Sequence, residues 1–117
     1  MHVGVLGGTG PAGSGLAVRL ASIGYEVTIG SRTKERADEK VAELLALHPD
    51  KKLLLDGGDN KRAASADVVV VATPWDAAAM TVQSVANQLA GKVVISMANA
   101  LAKVGDEFQP LVPPRGS

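Results

Sequence analysis

Short apolar runs alternate with helical periodicities over most of the chain. The run at residues 2–7, HVGVLG, precedes a segment in which Leu16, Leu20 and Ile23 recur at helical spacing. A cluster of glycines separates the two. This pattern predicts a strand, a tight turn and a helix over residues 13–24.

The same order repeats in the next segment. Residues 26–31, EVTIGS, predict a second strand, and four apolar positions then mark one face of a helix that starts near Thr33 and stops before Pro49. These positions are Ala37, Val41, Leu44 and Leu45. A βαβ unit therefore closes at the expected scale of roughly thirty residues.

The middle of the chain predicts two further strands and a short helix. Residues 52–56, KLLLD, are assigned to the third strand, and Asn60 is expected to cap a helix that reaches Ala66. The fourth strand is assigned to residues 67–73, DVVVVAT, whose unbroken β-branched run is typical of a strand buried on both faces of a parallel sheet.

After the fourth strand, Asp76 is expected to cap a helix that ends near Gly91, and residues 92–97 predict a fifth strand. Strands that alternate with helices indicate an α/β fold of the Rossmann type, a doubly wound parallel sheet of about five strands. Residues 105–117 contain several prolines and no periodicity, and they predict an extended arm on a single domain that spans residues 1–117.

Composition narrows the function classes. Twelve basic and twelve acidic residues cancel, and the three aromatic residues offer few faces for stacking bases, so nucleic-acid binding is not expected. The absence of cysteine removes disulfides, thiolate metal sites and thiol nucleophiles. No targeting segment or membrane span is seen, so we expect a cytoplasmic protein whose partners are small molecules.

The glycine cluster fits the dinucleotide-binding pattern G-x-G-x-x-G, placed between a strand and a helix as that pattern requires. Its residues, predicted to bind a cofactor, are Gly8, Thr9, Gly10, Pro11, Ala12 and Gly13. In this interpretation Gly8 permits the turn, Gly10 lets a pyrophosphate approach the backbone, and Gly13 allows close packing of helix on strand. The alternative is a glycine turn with no ligand.

The end of the second strand indicates which dinucleotide binds. Proteins selective for NAD usually place an acidic residue there, whereas this chain has Ser31, Arg32 and Thr33, followed by Arg36. A guanidinium fork and two hydroxyls suit a 2′-phosphate, which favours NADP(H). The alternative is that the two arginines belong to a solvated helix start.

The sequence predicts neither a catalytic side chain nor a metal site. His2 and His48 are far apart and are expected to be structural or solvated, and the stretch DGGD at residues 56–59 is expected to be a turn.

Three stretches together are similar to the family of NADPH:coenzyme F420 oxidoreductases, which act on an 8-hydroxy-5-deazaflavin. They are residues 4–37, beginning GVLGGTGPAG and containing TIGSRT, the element ATPWDAA at 72–78, and FQPLVPPRGS at 108–117. The last stretch superficially resembles a cleavable tag, but its likeness to the family favours a native segment.

The resemblance implies roles for several residues. Thr9, Ser31, Arg32 and Arg36 would hold the 2′-phosphate, and the glycine turn would line the pyrophosphate. The resemblance places Thr73-Pro74-Trp75 beside the nicotinamide. A weaker likeness places Met97-Ala98-Asn99 beside the deazaflavin ring. For Trp75, ordinary packing at a strand end is an equal alternative.

Members of this family continue beyond the length of this chain into a portion that completes the deazaflavin pocket and a dimer contact, so the resemblance implies a fragment and a possible homodimer. Two other functions stay open. One is another NADP(H)-dependent reductase of the same fold, acting on an imine, a 2-oxo acid or a metal ion. The other is a non-catalytic NADP(H)-binding module.

Overall fold

The computed structural model describes residues 1–97, 101–104 and 107–110. Its elements in chain order are β1 (His2–Leu6), α1 (Pro11–Ser22), β2 (Glu26–Ser31), α2 (Lys34–Leu47), β3 (Leu55–Asp59), α3 (Asn60–Ala64), β4 (Val68–Val71), α4 (Trp75–Ser84), α5 (Ala86–Leu89), β5 (Val93–Ser96), β6 (Leu101–Val104) and β7 (Glu107–Pro110). Within these residues, no helix combines the length and the apolar character that a membrane crossing requires.

Five of the strands form one parallel sheet in the order β3-β2-β1-β4-β5. The chain moves outward from β1 to β3 and then returns to place β4 on the other side of β1. This reversal leaves a crevice at the carboxyl ends of β1 and β4, where open α/β sheets bind their ligands. The predicted fold class, a doubly wound Rossmann-type α/β sheet, is confirmed.

Each face of the sheet carries its own apolar core. On one face, Val5, Val27 and Ile29 pack with buried positions of α1 and α2 such as Ala17 and Val41. The opposite core is smaller, contains Leu6, Val69 and Val71, and is covered by α3 and by residues of the α4–α5 segment. Side chains alternate between the faces because successive residues of a strand point in opposite directions.

The short helix α3 lies unusually close to the sheet. A Cβ atom at Gly4 would lie 1.7 Å from the carbonyl oxygen of Ala63, and one at Gly30 would lie 2.7 Å from the Ala63 Cβ. Glycines in β1 and β2 therefore make the room that α3 occupies.

The third strand, Leu55–Asp59, begins later than predicted and shares only Leu55 and Asp56 with the predicted residues 52–56. Leu53 is buried in the core before the strand begins, while Gly57 and Gly58 lie inside it and pair with Ile29 and Gly30. A Cβ at Gly57 would lie 2.9 Å from the Ala37 carbonyl carbon, so these glycines let α2 and α3 pack closely. The stretch DGGD is thus strand and not the expected turn.

Two helix starts also differ from expectation. The cap of α3 is Asp59, whose side chain accepts a hydrogen bond from the Arg62 amide at 2.9 Å, so Asn60 is the first helical residue. Pro74 precedes α4, and Asp76 lies inside the first turn of that helix. The predicted single helix to Gly91 is interrupted at Val85, a buried residue between α4 and α5.

The structure describes part of the segment predicted as an extended arm, residues 105–117. Glu107–Pro110 forms β7 and pairs antiparallel with β6 in a separate two-stranded sheet. The remainder of the predicted arm, residues 105–106 and 111–117, lies outside the described residues.

Candidate functional site

Residues from three other segments of the chain, Thr73, Asn60 and Gly30, lie against the glycine turn after β1. Gly7 has a φ of +64°, a left-handed conformation that favours glycine, and a Cβ there would lie 2.4 Å from the Thr73 Cγ2. Its amide donates to the Asn60 Oδ1 at 3.2 Å, and the Gly8 amide donates to the Gly30 carbonyl at 2.9 Å. The left-handed residue is therefore Gly7, one position before the Gly8 to which the sequence pattern assigned the turn.

Helix α1 packs directly on this turn. A Cβ at Gly13 would lie 2.9 Å from the Gly8 Cα and 3.0 Å from the Ala72 Cβ, as expected for close packing of helix on strand. The Ser14 hydroxyl donates to the Gly8 carbonyl at 2.8 Å and is buried with that contact. The first turn of α1 is thereby fixed over the end of β1.

Gly10 differs from the other glycines of the motif. It is the N-cap of α1 with extended backbone angles, φ −77° and ψ 168°, that any residue can adopt. A Cβ at Gly10 would meet no atom of the described residues within 4 Å. The open space beside it suits a group that approaches the first amides of α1, and those amides, together with the helix dipole, attract anions.

A cationic corner follows β2, and we define it as Ser31, Arg32 and Arg36. Ser31 is buried at 5% exposure, whereas both arginines are exposed. Neither arginine forms an ion pair with any carboxylate in the described part of the chain. The neighbouring Lys34 does pair, with Asp38, and the hydrogen bond and negative charge of Asp38 raise the pKa of Lys34. Arg32 and Arg36 are free to bind an anion.

Thr33 has a capping role in the structure. Its hydroxyl accepts a hydrogen bond from the Arg36 amide at 3.3 Å and so begins α2. Arg32 lies before the helix and Arg36 in its first turn, so only Arg36 opposes the helix dipole directly. An anion between the two arginines would relieve that unfavourable interaction.

One cleft of about 760 Å³ joins the glycine turn to the cationic corner and to the ends of β4 and β5. Ten of the residues predicted from the sequence line it, namely Thr9, Gly10, Pro11, Ala12, Ser31, Arg32, Arg36, Thr73, Pro74 and Met97. The structure thus brings together residues as distant in the sequence as Thr9 and Met97.

The other predicted site residues do not line the cleft or cannot be placed. Gly8 and Gly13 are buried beneath it and shape the turn, and Thr33 caps α2. The Trp75 side chain, Ala98 and Asn99 lie outside the described residues.

Five lining residues were not predicted as site residues from the sequence: Gly7, Asn60, Ala72, Ala77 and Thr81. Asn60 gave a signal that could have been used, because it follows a strand at the carboxyl edge of the sheet, where ligands bind. Gly7 and Ala72 lacked such a signal, since small residues near a strand end are common without any site, and Ala77 and Thr81 lie inside α4.

The wall of the cleft contains one unsatisfied hydroxyl. The Thr73 Oγ1 is inaccessible to solvent and has no hydrogen-bond partner among the described residues. Such a group is costly in a protein interior unless a partner is supplied.

A second polar cluster lies away from the cleft and involves His2. Its Nε2 is 2.6 Å from the Thr28 Oγ1, and the Thr28 hydroxyl donates to Asp56 at 2.5 Å. Arg62 also donates to Asp56, at 2.8 Å. Burial would raise the pKa of Asp56, but the hydrogen bonds from Thr28 and Arg62 and the positive charge of Arg62 outweigh it and lower that pKa. The structural role expected for His2 agrees with this arrangement.

Comparison with known proteins identifies the family. Residues 2–100 match the family model described as NADP oxidoreductase, coenzyme F420-dependent. The chain belongs to this family. The region matched includes the glycine turn, the cationic corner and the whole parallel sheet.

Several curated relatives of the chain are F420-dependent NADP reductases. An F420-dependent NADP reductase from Methanothermobacter thermautotrophicus is 42% identical over 96 residues, which are 81% of this chain and 41% of that protein. Another F420-dependent NADP reductase, from Methanocaldococcus jannaschii, is 38% identical and is matched by 100% of this chain over 54% of its own length. The chain therefore spans about half the length of the relatives it matches.

A solved structure supports the same architecture. A protein from Arthrobacter sp. FB24, proposed to be an F420-dependent NADP reductase, superposes with a TM-score of 0.72 at 30% identity, covering 96% of this chain and 51% of that one. This chain and the Arthrobacter protein therefore share the doubly wound sheet described above.

Proposed function

We propose that this protein transfers a hydride between NADPH and the deazaflavin coenzyme F420, and that residues 1–117 supply the NADP(H)-binding domain. The assignment to a family of oxidoreductases is shown by the match over residues 2–100, and the reaction is inferred from the names of the relatives.

The observation that carries the proposal is the cationic corner at the end of β2. Two exposed arginines without a carboxylate partner stand beside a buried serine, and residues 30–34 contain no Asp or Glu. An acidic residue at this place would bond the ribose hydroxyl of NAD(H), whereas a guanidinium matches the dianionic 2′-phosphate of NADP(H). The corner therefore favours the phosphorylated cofactor.

The glycine turn fits the pyrophosphate of the same cofactor. Gly10 leaves open space at the start of α1, and the first amides of that helix have no partner within the helix. These amides and the positive end of the helix dipole would hold the pyrophosphate charge. Within this turn, the Gly7 amide donates to the Asn60 side chain and the Ser14 hydroxyl donates to the Gly8 carbonyl.

Thr73, Pro74 and Met97 line the far side of the cleft, which we assign to the nicotinamide end of the cofactor. The bound cofactor supplies the hydride itself, and the protein contributes binding and orientation.

The cofactor assignment is tested by comparing two neighbouring cations. Arg32→Ala should weaken NADPH binding by about tenfold to a hundredfold, since a hydrogen bond to a charged group contributes about 1.5 to 3 kcal/mol. NADH binding should hardly change. Lys34→Ala is the matched control, because Lys34 is already paired with Asp38, and it should leave both affinities within about twofold.

Fluorescence or calorimetric titration of each variant with NADPH and with NADH gives the four affinities. If Arg32→Ala lowered the affinities for NADPH and NADH equally, this would show that the cationic corner does not recognise the 2′-phosphate.

A second candidate function is NADP(H) binding without catalysis by this chain alone. It is favoured by the coverage of 41% and 54% of the two relatives described above, which leaves about half of each without a counterpart. Mixing the chain with NADPH and the deazaflavin and following the deazaflavin absorbance separates the two functions. Bleaching indicates the reductase, and tight NADPH binding without bleaching indicates the binding module.

A further inference from the structure

Asn60 connects the two parts of the cleft. It is the first residue of α3 and lies beside the glycine turn on one side and near the cationic corner on the other. A smaller hollow of about 260 Å³, bordered by Ser31, Arg32 and Asn60, adjoins the corner. None of the sequence motifs assigns a cofactor-related role to Asn60.

The side chain of Asn60 binds the residue of the turn that most needs support. The Gly7 amide can only donate, so the Asn60 Oδ1 accepts from it at 3.2 Å and the Nδ2 is directed elsewhere. Gly7 is also the residue with φ +64°. The bond therefore holds the left-handed step that turns the chain from β1 toward the amides of α1.

The fold makes room for this contact. A Cβ at Gly30 would lie 2.8 Å from the Asn60 Oδ1, so the amide reaches Gly7 only because residue 30 is glycine. The carbonyl of the same Gly30 accepts from the Gly8 amide at 2.9 Å. Two consecutive amides of the turn are thus held by different elements, Gly7 by the start of α3 and Gly8 by the end of β2.

We propose that Asn60 is a positioning residue for NADP(H): it holds the Gly7–Gly8 turn so that the start of α1 presents its amides to the pyrophosphate. The inference rests on the proposed function. It assigns to Asn60 the pyrophosphate end of the cofactor and leaves recognition of the 2′-phosphate to the cationic corner.

Two ligands separate these roles. NADP⁺ uses both the pyrophosphate and the 2′-phosphate, whereas adenosine 2′-monophosphate carries only the phosphate at the corner. Asn60→Ala should weaken NADP⁺ binding by about fivefold to fiftyfold, the effect of about one to two neutral hydrogen bonds, and leave adenosine 2′-monophosphate binding within about twofold. A general loss of structure would weaken both ligands, as would Arg32→Ala through the corner.

Amide hydrogen exchange followed by NMR on the 117-residue chain reports the contact itself. In Asn60→Ala the Gly7 amide should exchange at least about tenfold faster, while the Gly8 amide, held by Gly30, should stay protected. Asn60→Asp keeps an acceptor oxygen at the same place and should restore protection of Gly7. If Asn60→Ala does not fold, Asn60→Gln, which displaces the same carboxamide by one methylene, should give the same pattern of faster Gly7 exchange and weaker NADP⁺ binding.

The results distinguish the two levels of the proposal. A wild-type chain that binds neither NADP⁺ nor adenosine 2′-monophosphate overturns the proposed function. If wild type binds both ligands, the inference about Asn60 is overturned when the variant keeps its NADP⁺ affinity or loses affinity for both ligands equally. Unchanged exchange at Gly7 in the variant also overturns it.

Discussion

The two edge strands of the parallel sheet, β3 and β5, differ in how far their residues are covered by other side chains. At the β3 edge, Asp56 is bound by Thr28 and Arg62, and the Arg62 stem covers Gly58. At the β5 edge, Val93, Val94 and Ile95 are 62%, 41% and 51% exposed. Edge strands normally carry charge or cover, which blunts further pairing. Within the described residues, the half of the sheet with the proposed phosphate sites, β1 to β3, has its edge strand covered by side chains. The other half, β4 and β5, exposes the apolar side chains of β5.

The difference matters for the cleft because its two walls come from the two halves. The glycine turn and the cationic corner rest on buried strands with satisfied hydrogen bonds, whereas the opposite wall contains the unpartnered Thr73 hydroxyl. We therefore expect the same substitution to have different effects in the two halves.

The largest contrast is expected between two isoleucines. Ile29 in β2 is fully buried and Ile95 in β5 is 51% exposed. Ile29→Ala should lower the free energy of unfolding by about 2 to 5 kcal/mol, because a cavity remains in the core. Ile95→Ala should cost less than about 1 kcal/mol. Urea unfolding of both variants measures the difference, and equal losses would show that β5 is covered in solution.

Two glycines test whether the turn is shaped for a ligand or for packing. In the part of the chain that the structure describes, a Cβ at either Gly10 or Gly15 would meet no atom within 4 Å, but of these two glycines only Gly10 lines the cleft. Gly10→Ala should weaken NADP⁺ binding by about tenfold to a hundredfold, about 1.4 to 2.7 kcal/mol, with little change in melting temperature. Gly15→Ala, on the exposed face of α1, should stabilise the helix by about 0.5 to 1 kcal/mol and leave affinity unchanged. Titration and thermal melting together distinguish the two, and an unaltered affinity in Gly10→Ala would place the pyrophosphate elsewhere.

Two threonines give the next contrast, in hydrogen bonding. Thr28 is fully buried with partners in His2 and Asp56, whereas the Thr73 hydroxyl has none among the described residues. Thr28→Val should destabilise the chain by about 1 to 2 kcal/mol because Asp56 and His2 lose a partner. Thr73→Val should be neutral or stabilising, since it removes an unsatisfied polar group. Chemical denaturation without cofactor provides the measurement, and a destabilised Thr73→Val would mean that its hydroxyl has a partner.

The smallest effect is expected from acid at the β3 edge. The folded-state pKa of Asp56 is lowered, so its contribution is complete above the ordinary carboxyl value and is lost as the pH falls below about 4 through the folded value. Because the ion pair with Arg62 is largely exposed, the contribution should stay below about 1 kcal/mol. Asp56→Asn should therefore lose less stability than the wild type between pH 6 and pH 3, and Asp50→Asn, at an exposed turn, should behave as the wild type. If the stability of all three proteins had the same pH dependence, the ionised Asp56 would not contribute to stability.

The sequence predicted the strand and helix order because apolar periodicity is strong in β1, α1, β2 and α2, where one face of each element enters a core. It failed at β3, where apolar residues and strand do not coincide. Leu53 is buried before the strand starts, and the strand itself contains Gly57 and Gly58 because helices approach it closely. Such tertiary packing leaves no periodic signal.

The site could be predicted where a local pattern carries the chemistry. Gly10, Ser31 and Arg32 stand at fixed positions relative to a strand end, so a short stretch of sequence places them. The contact between Asn60 and Gly7 joins residues 53 positions apart, and it depends on Gly30 in a third segment. Only the assembled sheet brings these three together.

The two arginines of the corner project from the surface, while the serine beside them and the turn behind them are rooted in the interior. In the proposed site, coenzyme preference and the stability of the fold therefore depend on different side chains. Exchanging the exposed pair for acidic or neutral side chains disturbs no packed contact, so a library confined to those two positions can explore new nucleotide specificities on an intact scaffold.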